Sequence, residues 1–171
     1  PERPKAAEAK RGTNGYLYSK PIAVGKSSEG RQPHFVDWAP DSQSESGTAD
    51  HKVVDWAASE LRKPHKQPFF HAVGIFRPHI PWYAPKKYFA LYPKKNVFLP
   101  KIKENDLEDV PKHGQSGIRK KWHEWILKND EWRGAVRGYL ASISFADAQV
   151  GRLLDALDAS PYAKNTIIVL W

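Results

Sequence analysis

No cysteine occurs anywhere in the 171 residues. Disulfides, thiolate metal sites and a cysteine nucleophile are therefore excluded within this segment, while the redox compartment stays open. Nor does any stretch approach the roughly 18 consecutive apolar residues of a membrane span. The opening "PERPKAAEAKRGTNG" is polar and basic, without the apolar centre of a secretory leader, so no signal peptide is expected. No two histidines stand at H-x-x-x-H spacing, so the pattern offers no zinc site. Internal repeats are lacking as well. Acidic side chains are in the minority, 19 against 27 lysines and arginines, for a net charge of +8. A field of that sign favours anionic partners, whether nucleic acid, an anionic surface, or a sulfated or phosphorylated substrate; plain solubility accounts for it equally well.

Apolar residues make up 40% of the chain, and its length suffices for one domain with a sizeable core. Residues 1–47 are rich in Pro, Gly, Ser and charge and read as an irregular lead-in. Within them "VGKSS" invites a phosphate-loop reading, but that motif needs a glycine five positions before Gly25, where Lys20 stands. The first helix is expected in "TADHKVVDWAASELRK", capped by Thr48, with Val53, Trp56, Ala57 and Leu61 on its inner face and Pro64 stopping it. After the basic linker comes "FFHAVGIF" (69–76), apolar on both faces and expected as a buried strand. "APKKYFALYP" reads as a short helix started near Pro85 and ended by Pro93, and 94–128 as a long polar excursion.

The longest helix is expected from about Glu131 to Ala159, opened by Asn129 or Asp130. Its apolar stripe comprises Trp132, Val136, Tyr139, Leu140, Ile143, Val150, Leu153, Leu154 and Leu157. Gly134, Gly138 and Gly151 point to close backbone approach along it. "NTIIVLW" (165–171) follows as a second apolar strand. Helices alternating with strands buried on both faces predict an α/β layer with a parallel sheet.

"FRPHIP" sits where the first apolar strand ends. Open parallel sheets bind ligands outside the carboxyl ends of their strands, which places Arg77 and His79 at a working rim. Pro78 and Pro81 restrict the backbone on either side of the imidazole. His79 is then either a rigid-turn residue or a donor to an anionic oxygen. Arg77 offers a permanent fork suited to sulfate, phosphate or carboxylate. Other candidates are weaker. His71 is expected as a satisfied core residue, His51 lies in a helix's first turn, His65, His113 and His123 stand in polar surroundings, and His34 lies in a loop. Asp147 is expected to be buried or half-buried, paired with a loop. "IRKKWHEW" interleaves basic and aromatic residues as single-strand nucleic-acid surfaces do, yet a solvated excursion suits it better.

"KQPFFHAVGIFRPHIPWYAPKKYFALYP" and "GYLASISFADAQVGRLLDALDASPYAKNTIIVLW", together with "TADHKVVDWAASEL", resemble type I sulfatases of the iduronate-2-sulfatase-like group. The resemblance covers most of 48–171. It implies an alkaline-phosphatase-like α/β/α sandwich with a mostly parallel central sheet, hydrolysing sulfate esters with a formylglycine nucleophile and a calcium ion. The family's active-site histidine falls on His79, near the leaving oxygen; Arg77, Trp82 and Tyr83 are candidate substrate contacts by neighbourhood. The implied partners are a sulfated small molecule or saccharide and the remaining parts of the same catalytic domain, in the periplasm, outside the cell or in lysosomes. No nucleic acid or membrane partner is implied.

This sequence departs from the family's pattern in several places. It lacks the C/S-x-P-S-R motif that becomes formylglycine, the paired metal-binding aspartates and the K-x-x-x-H or K-x-x-H segment, for "GKSSEGR" has no histidine where one is needed. The S-D-H-G metal segment would begin just after Trp171. The expectation is a central slice, 1–171, of one sulfatase catalytic domain, inactive alone and holding no metal ligands of its own. Two alternatives stand beside it: a related phosphate or phosphonate ester hydrolase, and a non-enzymatic basic module using 113–128 to bind anionic polymers.

Overall fold

The computed structural model describes residues 22–23, 35–41, 44–115 and 120–171. "VGKSS", His34 and most of the lead-in lie outside the described residues, as do residues 116–119 of the basic excursion. Among the described residues two short pairs of strands are present. β1 (Ile22–Ala23) pairs antiparallel with β2 (Phe35–Val36). β3 (Trp38–Asp41) pairs in parallel with β4 (Trp82–Pro85), with Trp38 opposite Trp82 and Asp41 opposite Pro85. A parallel pair needs a crossover, and α1 (Ala49–Leu61) provides it.

The start of α1 follows the expected chemistry. Thr48 accepts the His51 amide at 3.3 Å, satisfying a donor that the first turn leaves open. Its buried face is Val54, Ala57, Ala58 and Leu61, so Val53 and Trp56 stand to the side of it. Directly after β4 comes α2 (Lys86–Ala90), with Pro85 at its N-cap. Among the described residues the polar excursion holds two short α-helices, α3 (Lys112–Gln115) and α4 (Lys120–Lys128).

The 27-residue α5 (Trp132–Asp158) packs across α1, α2 and the β3–β4 pair. Glu131 precedes it as N-cap, two residues later than Asn129. Its inner face departs from the expected bulky stripe, of which Leu157 is buried as expected. Gly134, Ala135, Gly138, Ala141, Ser142, Phe145, Gln149 and Leu157 are buried, whereas Tyr139 and Ile143 are exposed. The helix lies too close to β3 for large side chains: a Cβ on Gly138 would stand 2.5 Å from the Trp38 Cβ, and one on Gly134 2.9 Å from the Trp38 Nε1. Gly151 meets nothing within 4 Å, so its expected close approach does not occur. Asp147 is exposed rather than buried. The central core is Ala84, Tyr88 and Phe89 against Ala141 and Phe145, with Tyr88 and Phe145 ring centres 5.4 Å apart.

The segments expected as strands, 69–76 and 165–171, form no hydrogen-bonded ladder among the described residues. Phe70, Ile167 and Trp171 are 85%, 92% and 93% exposed. A run apolar on both faces becomes a sheet strand only when neighbours take its amide and carbonyl groups, and no described strand flanks either run. The sheet actually formed uses 82–85, on the far side of the proline-bracketed loop. Among the described residues no helix is long and apolar enough to cross a membrane.

Candidate functional site

The loop 76–82 joins the first apolar run to β4 and is held from several directions. Asp50, buried in the first turn of α1, accepts two successive amides: Phe76 N on Oδ1 at 2.8 Å and Arg77 N on Oδ2 at 3.2 Å. The His79 amide closes a turn onto the Phe76 carbonyl at 3.0 Å, and the Trp82 indole donates back to the Pro78 carbonyl at 2.9 Å. At the loop's exit the Trp82 amide donates to the Asp37 carbonyl at 2.8 Å, tying it to the residue before β3. The Arg77–Pro78 and Ile80–Pro81 bonds are both cis.

His79 is exposed at the tip of this loop. Its Nδ1 lies 2.6 Å from the Ile80 carbonyl oxygen. A carbonyl only accepts, so Nδ1 carries the proton and Nε2 is the nitrogen available to a ligand, accepting when the ring is neutral and donating when it is charged. The Phe76 ring lies 4.6 Å from the imidazole and limits its swing.

The three candidates beside His79 are placed differently. Arg77 is half-buried and its Nε donates to the Tyr83 carbonyl at 2.7 Å. Burial pulls its pKa below the usual guanidinium range, and the nearby Asp50 and Asp41 carboxylates offset part of that. Its guanidinium also lies 5.3 Å from the Phe76 ring centre. Trp82 packs between Trp38, at 6.3 Å, and Tyr139, at 5.5 Å. Tyr83 is 5% exposed and its hydroxyl donates to the Asp37 carboxylate, so its side chain points into the protein rather than along the loop's outer surface. Sequence reasoning thus brought the loop to notice but missed Asp50, whose carboxylate holds its entry, and Asp37, whose backbone carbonyl takes the Trp82 amide at its exit. Asp50 carried a faint signal as an acid in a helix's first turn.

Four of the other histidines make local contacts. His71 is half-buried in an aromatic group with Trp56, Phe69 and His65, at 6.1, 4.6 and 6.0 Å. The His65 ring lies between Phe69 and Tyr162, at 4.5 and 5.5 Å, with its Nε2 3.0 Å from the Glu60 carbonyl, and its amide donates to the Tyr162 hydroxyl at 2.8 Å. His51 meets Arg152 Nη1 at 3.0 Å on its Nδ1, and His123 stacks edge-on against Trp132 at 5.9 Å. Among the described residues no three His, Asp or Glu side chains converge as a metal-ligand set. The buried Asp37 and Asp50 are engaged instead with a tyrosine hydroxyl and backbone amides.

The sequence model of one protein family, described as "Sulfatase", matches residues 9–171. A sulfatase of Formosa agariphila is 44% identical over 139 residues, covering 80% of this chain and 27% of that protein. The human iduronate 2-sulfatase is 36% identical over 121 residues, 64% of this chain and 22% of the enzyme. An arylsulfatase of Clostridium perfringens is 31% identical over 121 residues, 68% and 25% respectively. The matches thus take in about a quarter of the length of these relatives.

Proposed function

The chain belongs to the sulfatase family, and from that premise we propose that it forms the central part of a catalytic domain hydrolysing sulfate esters within a longer enzyme. The domain is an alkaline-phosphatase-like α/β/α sandwich. The apolar runs 69–76, half-buried at alternate residues, and 165–171, largely exposed, are strands of its mostly parallel sheet, covered by neighbours from the remainder of the domain. The β3–α1–β4 crossover and the α5 layer packed on it support this architecture.

In this reading His79 meets the sulfate ester near the leaving oxygen. The observation that carries it is the loop's construction. An exposed imidazole has Nδ1 committed to a carbonyl, leaving Nε2 to hydrogen-bond or protonate the departing oxygen. Holding that ring before substrate arrives lowers the ordering cost of the reactive arrangement. Arg77, Trp82 and Tyr83 serve the substrate by shaping this loop, through the bonds each makes within it or beneath it. A metal ion in such an enzyme neutralises charge on the transferring group. The sequence has no formylglycine precursor motif, and in this proposal that motif and the calcium ligands belong to other parts of the longer enzyme. The positive balance of the chain suits an anionic substrate, here a sulfated saccharide, in a periplasmic, extracellular or lysosomal setting.

The test is turnover of aryl and sugar sulfates by the full-length protein carrying His79→Ala, with phosphate esters assayed in parallel. Loss of a general acid lowers kcat by about 10²–10⁴-fold. Unchanged sulfate-ester turnover removes His79 from the reaction, and a preference for phosphate esters transfers the protein to the phosphohydrolase alternative.

A further inference from the structure

The hydrogen bonds to Asp50 form a short chain of contacts that ends on the His79 ring. Asp50 Oδ1 holds the Phe76 amide and Oδ2 the Arg77 amide, at 2.8 and 3.2 Å, so one carboxylate sets the direction in which the backbone enters the loop. Phe76 in turn touches His79 twice: its carbonyl accepts the His79 amide at 3.0 Å and its ring lies 4.6 Å from the imidazole. We propose that Asp50 is the positioning residue for His79, fixing through Phe76 where the imidazole stands when the ester binds.

Three features favour this role over a purely local one. Asp50 is 5% exposed, and a buried carboxylate bonded to two amides is confined to one geometry. Its place in the first turn of α1, where the helix dipole favours negative charge, suits a carboxylate that accepts both bonds. Thr48 already caps the helix, so Asp50 is not needed for that task and its oxygens face the loop. Arg77, whose charge Asp50 and Asp41 partly balance, then locks the exit side by donating to the Tyr83 carbonyl.

The inference rests on the catalytic reading of His79, and a double-mutant cycle in the full-length enzyme separates the two. Asp50→Asn, His79→Ala and the double variant are compared with the parent on an aryl sulfate, with kcat and KM read separately. Asparagine turns an NH2 group toward one of the two amides and so loses one of the paired bonds. The expected result is a fall in kcat of about ten- to a hundredfold for Asp50→Asn, with KM moving far less. In the His79→Ala background the same change should alter kcat by no more than about twofold, because the group it positions has gone.

Parent-like kcat for Asp50→Asn overturns the inference, and so does an equal fold-loss in both backgrounds; His79→Ala remains crippled in either case and the functional reading survives. Parent-like turnover of His79→Ala overturns both together. If Asp50→Asn yields no folded enzyme, Asp50→Glu takes its place in the same two backgrounds. Glutamate keeps both acceptor oxygens but displaces them by one methylene, so the same losses support the inference and the same parent-like or equal outcomes overturn it.

Discussion

Replacing Gly138 by alanine, and separately Gly151 by alanine, measures how tightly α5 is pressed against the β3–β4 pair. At Gly138 the added methyl would lie 2.5 Å from the Trp38 Cβ, 3.1 Å from its Cγ and 3.4 Å from the Trp82 Cβ. Carbon atoms settle at about 3.5–4.0 Å, so helix and strand must part by roughly 1 Å. The obstructing atom is a Cβ fixed to a strand backbone and cannot rotate away. Overpacking of this kind costs about 1–3 kcal/mol. Alanine regains about 1 kcal/mol of helix preference over glycine, leaving a net loss of up to about 2 kcal/mol. At Gly151 nothing lies within 4 Å of the new methyl, so only the preference remains and the protein should gain stability. Because that preference is common to both variants, their difference isolates the packing cost, about 1–3 kcal/mol. Urea unfolding of the full-length protein, followed by far-ultraviolet circular dichroism with unchanged slopes, gives the number. A Gly138→Ala protein as stable as the Gly151→Ala protein would refute the close contact.

Two further perturbations follow from the buried polar groups. Tyr83→Phe removes the hydroxyl given to the buried Asp37 carboxylate, and denaturant unfolding should show a loss of about 1–3 kcal/mol. Glu45 accepts from Tyr88 and Gln149 at 3.0 Å each and pairs with Lys87; burial pushes its pKa up, but the bonds from Lys87, Tyr88 and Gln149 together hold it below the usual carboxylate range. A depressed native pKa gives stability that is complete above the ordinary glutamate range and disappears as pH falls through the native value. Glu45→Gln should therefore lower the thermal midpoint near neutrality and converge with the parent in acid; curves that stay parallel across that range would contradict the assignment.

Much of the secondary structure was legible because its signals are local. Thr48 before an acidic first turn, Pro85 ahead of "KKYFA" and Pro161 after the long helix each act on the few residues beside them. The loop at 77–81 was legible for the same reason, since two prolines around a histidine are a local constraint. Its supports were not. Asp50 lies 26 residues before Phe76 and Asp37 lies 46 before Tyr83, and single-sequence reasoning has no means of measuring such separations in space. The inner face of α5 was misjudged because periodicity reports where bulky apolar residues recur. It does not report how near the opposing surface lies.

By itself the sequence determined three helices (α1, α2 and α5), the histidine-bearing loop and the family resemblance, all of which are written in neighbouring residues or in contiguous motifs; α3 and α4 lie in what read as a polar excursion. Only the tertiary structure decided which strands pair, which face of α5 turns inward and which acidic residues hold the loop. Each of these depends on the distance between segments far apart in the chain. At Gly138 and Gly134 that distance is so short that the small residues, not the large ones, became the buried surface.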